Sequence, residues 1–194
     1  MTRTFIALEI NETLQHYLGA IIRRMKQELP ALAWVDPTGI HLTLAFLGEL
    51  SDEQLSQAVS AAELAARKAA PFDFRLSQPG VFGAPRQPRV IWMGVDEPSG
   101  QLLQLQQQLN LELTRQGFEV DARPFSPHLT LSRVKASLKA EELQRLQRLL
   151  TVKESQPSTH VYQVRHLSVM KSESSRSGAI YTCLHHVILG LSGA

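Results

Sequence analysis

Two stretches of this sequence could do chemistry: His41-Leu42-Thr43-Leu44 and His128-Leu129-Thr130-Leu131, one tetrapeptide occurring twice. Shuffling the same composition would produce it about 0.01 times, so two copies call for a physical cause. An imidazole changes charge near pH 6.5, close to neutrality. Two imidazoles facing each other can therefore divide acid and base between them. The neutral one takes a proton from attacking water and the charged one gives a proton to the leaving oxygen. Each job is worth roughly 10²–10⁴ in rate. Threonine hydroxyls can donate hydrogen bonds to the non-bridging oxygens of a phosphate. The set suits in-line displacement at phosphorus and needs no metal. Neither motif contains an Asp or Glu to complete a ligand set. The tandem His185-His186 lacks a ligand spacing, because adjacent strand residues point apart. No metal and no cofactor are expected.

Both motifs alternate polar and apolar residues, the pattern of a half-buried strand. His41 and Thr43 then share one face, and Leu42 and Leu44 the other; His128, Thr130, Leu129 and Leu131 divide likewise. The leucines belong to a core, and the His and Thr to a cleft.

The elements around the motifs repeat as well. Thr4 to Ile10 reads as a buried strand. Asn11 caps a helix with Leu14, Leu18, Ile21, Ile22, Met25 and Leu29 at helical spacing, ended by Pro30. Trp34 to Pro37 reads as a short edge segment and turn before the first motif. Ser51 and Gln54 form a capping box for a helix running to about Ala70. Phe72 to Leu76 is a strand, Pro79 to Pro88 an irregular connection rich in Pro and Gly, and Val90 to Val95 a buried strand. A second round follows. A helix from Ser99 carries Leu102, Leu105, Leu109 and Leu113. Phe118 to Ala122 is a short strand, and the second motif comes next. A helix from Lys139 to Leu150 turns Leu143, Leu146 and Leu150 inward. His160 to Met170 is a strand, Ser172 to Gly178 a polar loop, and Ile180 to Leu189 a final strand. The expected fold is α+β. Residues 1–194 form one domain of two pseudo-symmetric lobes, with mostly antiparallel sheets, helices outside and a central cleft.

The chain has 194 residues and a net charge of +2, which implies no bulk field for long duplex nucleic acid. The single Cys183 excludes an internal disulfide and suits a reducing cytoplasm. No apolar run approaches the roughly 20 residues of a membrane span. The expectation is a cytoplasmic monomer with no membrane partner. His16, His160, His166, His185 and His186 read as ordinary surface or hydrogen-bonded residues.

The paired His-x-Thr motifs, the opening Arg3-Thr4-Phe5-Ile6-Ala7-Leu8, the Phe46-Leu47-Gly48 tail and the Ser126-Pro127-His128 approach resemble the 2H phosphoesterase superfamily. Within it, the chain resembles the bacterial RNA 2′,3′-cyclic phosphodiesterases, historically called 2′-5′ RNA ligases. The resemblance implies that His41 and His128 are catalytic and that Thr43 and Thr130 bind phosphate. It also implies that an aromatic and an arginine, here Phe46 and Arg133, hold the terminal base. The implied substrate is RNA with a 2′,3′-cyclic phosphate end, or a 2′,3′-cyclic nucleotide, opened to a 2′-phosphate. Two alternatives stand beside hydrolysis: ATP-independent 2′-5′ ligation by the reverse reaction, and a non-catalytic module that binds RNA ends or cyclic nucleotides.

Phe46 and Arg133 each lie five residues after their motif's His. On a regular strand an i+5 residue faces the core with the leucines. Their implied role therefore requires each strand to end or bulge just before them. Arg3, Arg86, Arg89 and Arg123 are candidates for a basic rim along upstream phosphates, and Tyr181 is a further candidate for the cleft.

Overall fold

The structure, a computed structural model, describes residues 1–151, 160–175 and 178–190. In chain order the first half contributes β1 (Thr2–Glu9), α1 (Glu12–Glu28), β2 (Ala33–Trp34), a short 3-10 turn (Pro37–Gly39), β3 (His41–Leu50), α2 (Asp52–Arg67) and β4 (Phe72–Ala84). The second contributes β5 (Gln87–Asp96), α3 (Gln101–Arg115), β6 (His128–Arg133), α4 (Ala140–Thr151), β7 (Tyr162–Val164), β8 (His166–Ser175) and β9 (Gly178–Ile188).

Local sequence explains where the helices begin. The Asn11 side chain accepts from the Leu14 amide, and Ser51 and Gln54 close a capping box. The start of α3 differs from the expectation. Gly100, in the left-handed region, is its N-cap, while the Glu97 carboxylate accepts from the Ser99 and Leu102 amides. All six apolar residues expected on the first helix stripe are buried, as are Leu102, Leu105, Leu109 and Leu113. In α4, Leu146 and Leu149 are the buried pair, rather than Leu150.

Two antiparallel sheets form, ordered β3-β1-β8-β9 and β2-β6-β5-β4-β7. Each half of the chain thus gives two strands to the other half's sheet, β2 and β4 from the first and β8 and β9 from the second. β4 pairs with β5, and β8 pairs with β1. The lobes are pseudo-symmetric, as expected, but neither is a contiguous half of the sequence. The helices α2 and α3 pack together along the seam. Buried Glu112 of α3 ties them, accepting from Lys68 Nζ at 2.9 Å and from Arg115 Nη1 at 3.0 Å. One hydrophobic core runs through both lobes and includes Leu42, Leu44, Leu129 and Leu131. Each such leucine contributes roughly 1.5–3 kcal/mol by burial, which anchors both motif strands on their apolar side.

Four expected elements come out differently. The Pro79 to Pro88 stretch is the far end of a long β4–β5 hairpin with a two-residue turn, Pro85-Arg86. The prolines and glycines sit at its register shifts, where a missing donor or a φ of 110° at Gly83 is tolerated. The expected strand Phe118 to Ala122 is irregular. Next to it, Asp121 bonds the Arg123 amide, and such local bonds compete with a ladder. The expected strand His160 to Met170 breaks at Arg165, because β7 serves the second sheet and β8 the first. Most of the expected loop Ser172 to Gly178 is strand. β8 continues to Ser175 and β9 restarts at Gly178; residues 176 and 177 lie outside the described residues.

Candidate active site

β3 and β6 approach each other across the seam between the sheets, and both turn the His and Thr of their motif away from the leucines. The two imidazoles are anchored alike. His41 Nδ1 lies 2.8 Å from the Gly39 carbonyl oxygen, and His128 Nδ1 lies 2.7 Å from that of Ser126. A carbonyl only accepts, so Nδ1 carries the hydrogen in both rings. Nε2 is left to take or give a proton, the tautomer an acid–base pair requires.

The strands bulge where the sequence demands it. In the β1–β3 pairing Ala7 faces Thr43 and Ile6 faces Ala45, so Leu44 is the extra residue. In the β5–β6 pairing Trp92 faces Thr130 and Ile91 faces Ser132, so Leu131 is the extra residue. Both bulges fall three residues after the His. Each shifts the alternation by one and returns the i+5 residue to the face of His and Thr. Phe46 is accordingly 68% exposed rather than part of the core, with its ring 6.4 Å from Phe5. Arg133 is exposed, and its charge reaches His41.

Each imidazole sits in an aromatic cradle. Phe5 and Tyr181 flank His41, with ring centroids at 4.7 and 4.8 Å, the tyrosine edge-on. Phe82 meets His128 edge-on at 4.7 Å, with Trp92 at 6.4 Å. Gly80 leaves room for the Trp92 indole, since a Cβ there would lie 2.5 Å from the ring. Sequence reasoning named Tyr181 but gave it no role, and it missed Phe5, Phe82 and Trp92. The alternation Arg3, Phe5, Ala7, Glu9 along one face of β1 would have exposed Phe5. Nothing local marks Phe82, whose stretch reads as irregular, or Trp92, whose strand Val90 to Val95 reads as buried.

Burial pushes the His41 pKa below its ordinary value. The bond to Gly39 opposes that shift, the positive charges of Arg133 and His128 add to it, and Glu9, paired with His41 across β1 and β3, opposes it. A cleft of about 390 Å³ opens beside His41, lined in part by Glu9, Asp36, Thr38, Tyr181 and Cys183. Of the expected basic rim, Arg86 and Arg89 lie exposed on the β4–β5 hairpin and Arg3 lies at the end of β1. Arg123 is bound to Asp121, whose carboxyl it holds down to about 2.

Two antiparallel sheets, twin bulged His-x-Thr strands and mirrored imidazole anchors define a pseudo-symmetric α+β cleft protein. The chain matches the family model of the 2′-5′ RNA ligase superfamily over residues 14–176, and it belongs to that family. It is 31% identical to an RNA 2′,3′-cyclic phosphodiesterase of Methanothermobacter thermautotrophicus, over 93% of this chain and 95% of the relative. A protein of the same name from Thermotoga maritima is 35% identical over 69% of this chain and 70% of its own. Among solved structures, TT0787 of Thermus thermophilus matches with a TM-score of 0.77 at 26% identity, covering 97% of this chain and 98% of that one. The LigT protein of E. coli, in a crystal structure with 3′-AMP, matches with a TM-score of 0.74 at 29% identity, covering 98% and 99%. No described helix is long and apolar enough to cross a membrane.

Proposed function

We propose that this protein hydrolyses ribose 2′,3′-cyclic phosphates at RNA or nucleotide ends, leaving a 2′-phosphate and a free 3′-hydroxyl. The observation that carries the reading is the twin bulge, which sets His41, Thr43 and Phe46 on one cleft face and His128, Thr130 and Arg133 on its counterpart. Family membership and the names of the relatives support the same substrate class. His128 takes a proton from water as the water oxygen bonds to phosphorus. The P–O3′ bond breaks in line, and His41 gives its proton to O3′. Thr43 and Thr130 donate to the non-bridging oxygens. Phe46 and Arg133 stack on the terminal base, a sequence-tolerant grip on single-stranded RNA. The test is incubation with 2′,3′-cyclic AMP and identification of the product. Release of 2′-AMP supports the proposal, and binding without turnover would leave only an RNA-end module. Supplying a 5′-hydroxyl RNA in excess tests the reverse, ligating direction by the same residues.

Two expectations belong to this mechanism. First, the two imidazoles and two hydroxyls supply acid, base and oxyanion contacts, so turnover should survive exhaustive chelation. Loss on chelation and recovery with one divalent ion would overturn the mechanism. Second, the pair is active with one proton shared between its rings, so kcat/KM should be bell-shaped in pH, with limbs that belong to the pair. Burial of His41 and the neighbouring positive charges make the second proton harder to add. The acid limb should therefore fall below the ordinary imidazole value of about 6.5. An acid limb above that value, or a profile flat from about pH 5 to 9, counts against this pair.

A further inference from the structure

The strand register assembles a second group of imidazoles that the sequence spacing concealed. Adjacent His185 and His186 do point apart, as strand geometry requires: His185 faces Glu63 at 3.3 Å, while His186 faces Glu9 and Ser168. In the first sheet Ala7 pairs with Ser168, and Ser168 pairs with His186. Glu9 and His166 lie two residues from Ala7 and Ser168 and so share their face. We propose that Glu9, His166 and His186 form a binding site for one divalent transition-metal ion of the zinc class, at the edge of the cleft and separate from the His41–His128 pair.

Among the described residues, these three bring one ligand atom each within 4.8 Å of one another. His186 Nδ1 is 3.4 Å from Glu9 Oε2, and His166 Nε2 is 4.0 Å from the same oxygen. With metal–ligand bonds of about 2.0–2.2 Å, two donors on a tetrahedral ion stand about 3.3 Å apart. One of the three pairs is already at that spacing, and a rotation of His166 toward the ion closes the other two. Two imidazoles and a carboxylate are the donor set of borderline divalent ions, and a three-residue set leaves a position for water. Ser168 Oγ donates to Glu9 Oε2 at 2.6 Å and lies 3.0 Å from His186 Nδ1, so it holds these two donor atoms side by side. The ion takes the place of Ser168 on both atoms and displaces the Nδ1 proton. Three neighbouring strands fix the backbone positions, so the ion orders little that is not already ordered.

The ion takes no part in the proposed hydrolysis. It neutralises Glu9, the carboxylate paired with His41 across the strands, and so reaches the catalytic pair as a charge. The experiment is a Co²⁺ titration of the untagged, chelator-treated protein, read by calorimetry and by visible absorption. The proposal expects one Co²⁺ per chain, with the bands of a four- or five-coordinate ion. His166→Gln, His186→Gln and Glu9→Gln should each weaken binding at least tenfold, and a His41→Gln, His128→Gln double variant should bind like the wild type. In the wild type, bound Co²⁺ should also shield His166 and His186, but not His185, from carbethoxylation mapped by mass spectrometry. That readout needs no variant to fold. No Co²⁺ binding, binding that survives loss of either cluster histidine, binding lost in the double variant, or unshielded His166 and His186 would each overturn the site.

Discussion

On a 2′,3′-cyclic substrate whose bridging O3′ is replaced by sulfur, His41→Ala is expected to regain most of the rate it loses on the natural substrate, and His128→Ala is not. On the natural substrate each variant should lose roughly 10²–10⁴ in rate, the usual worth of one positioned acid or base. Knockouts alone therefore leave the roles unassigned. A departing thiolate has a conjugate pKa of about 8.5, far below an alcohol's, and leaves without a proton. The acid's contribution then largely vanishes, while water must still be activated. The lowered pKa of buried His41 bears on this assignment. It makes the charged form the stronger donor, which suits an acid. The opposite rescue, with His128→Ala recovering, exchanges the roles and keeps the mechanism. Failure of both variants on the sulfur substrate, with fold and binding intact, would refute acid–base catalysis by these imidazoles.

Removing the proposed base clamp should show in KM rather than in kcat. Phe46 projects from the His face of β3, and Arg133 occupies the matching position on β6. Stacking an aromatic ring on a base is worth about 1–3 kcal/mol. Phe46→Ala should then raise KM roughly 5- to 150-fold, with kcat changed much less, as for a contact made equally in ground and transition states. Arg133→Ala should behave similarly. It should also raise the His41 pKa, since its charge acts against protonation there, and so bring the acid limb of kcat/KM to higher pH. Because Phe46 is exposed, its removal should leave the melting temperature nearly unchanged. A Phe46→Ala protein that melts several degrees lower at unaltered KM would return the residue to the core and remove it from the site.

The sequence by itself determined the periodic parts of this protein. The duplicated tetrapeptide announced two strands with leucines inward and His and Thr outward, and all four leucines are buried. Helix starts were legible at Asn11 and Ser51, because a cap is a bond within one turn of chain. The need for a bulge before Phe46 and Arg133 was legible too, as a conflict between strand parity and the role the family resemblance implies. Tertiary structure alone decided how that conflict resolved. A bulge is a mismatch between two strands, and Leu44 and Leu131 become extra residues only against β1 and β5. It also decided that β2, β4, β8 and β9 cross into the opposite sheets, since pairing partners distant in sequence leave no periodic trace. The cradles of Phe5, Tyr181, Phe82 and Trp92, and the gathering of Glu9, His166 and His186 from three strands, follow from that crossing. Local spacing reports which way a side chain points along its own strand. Only the register of the neighbouring strands decides what it meets there.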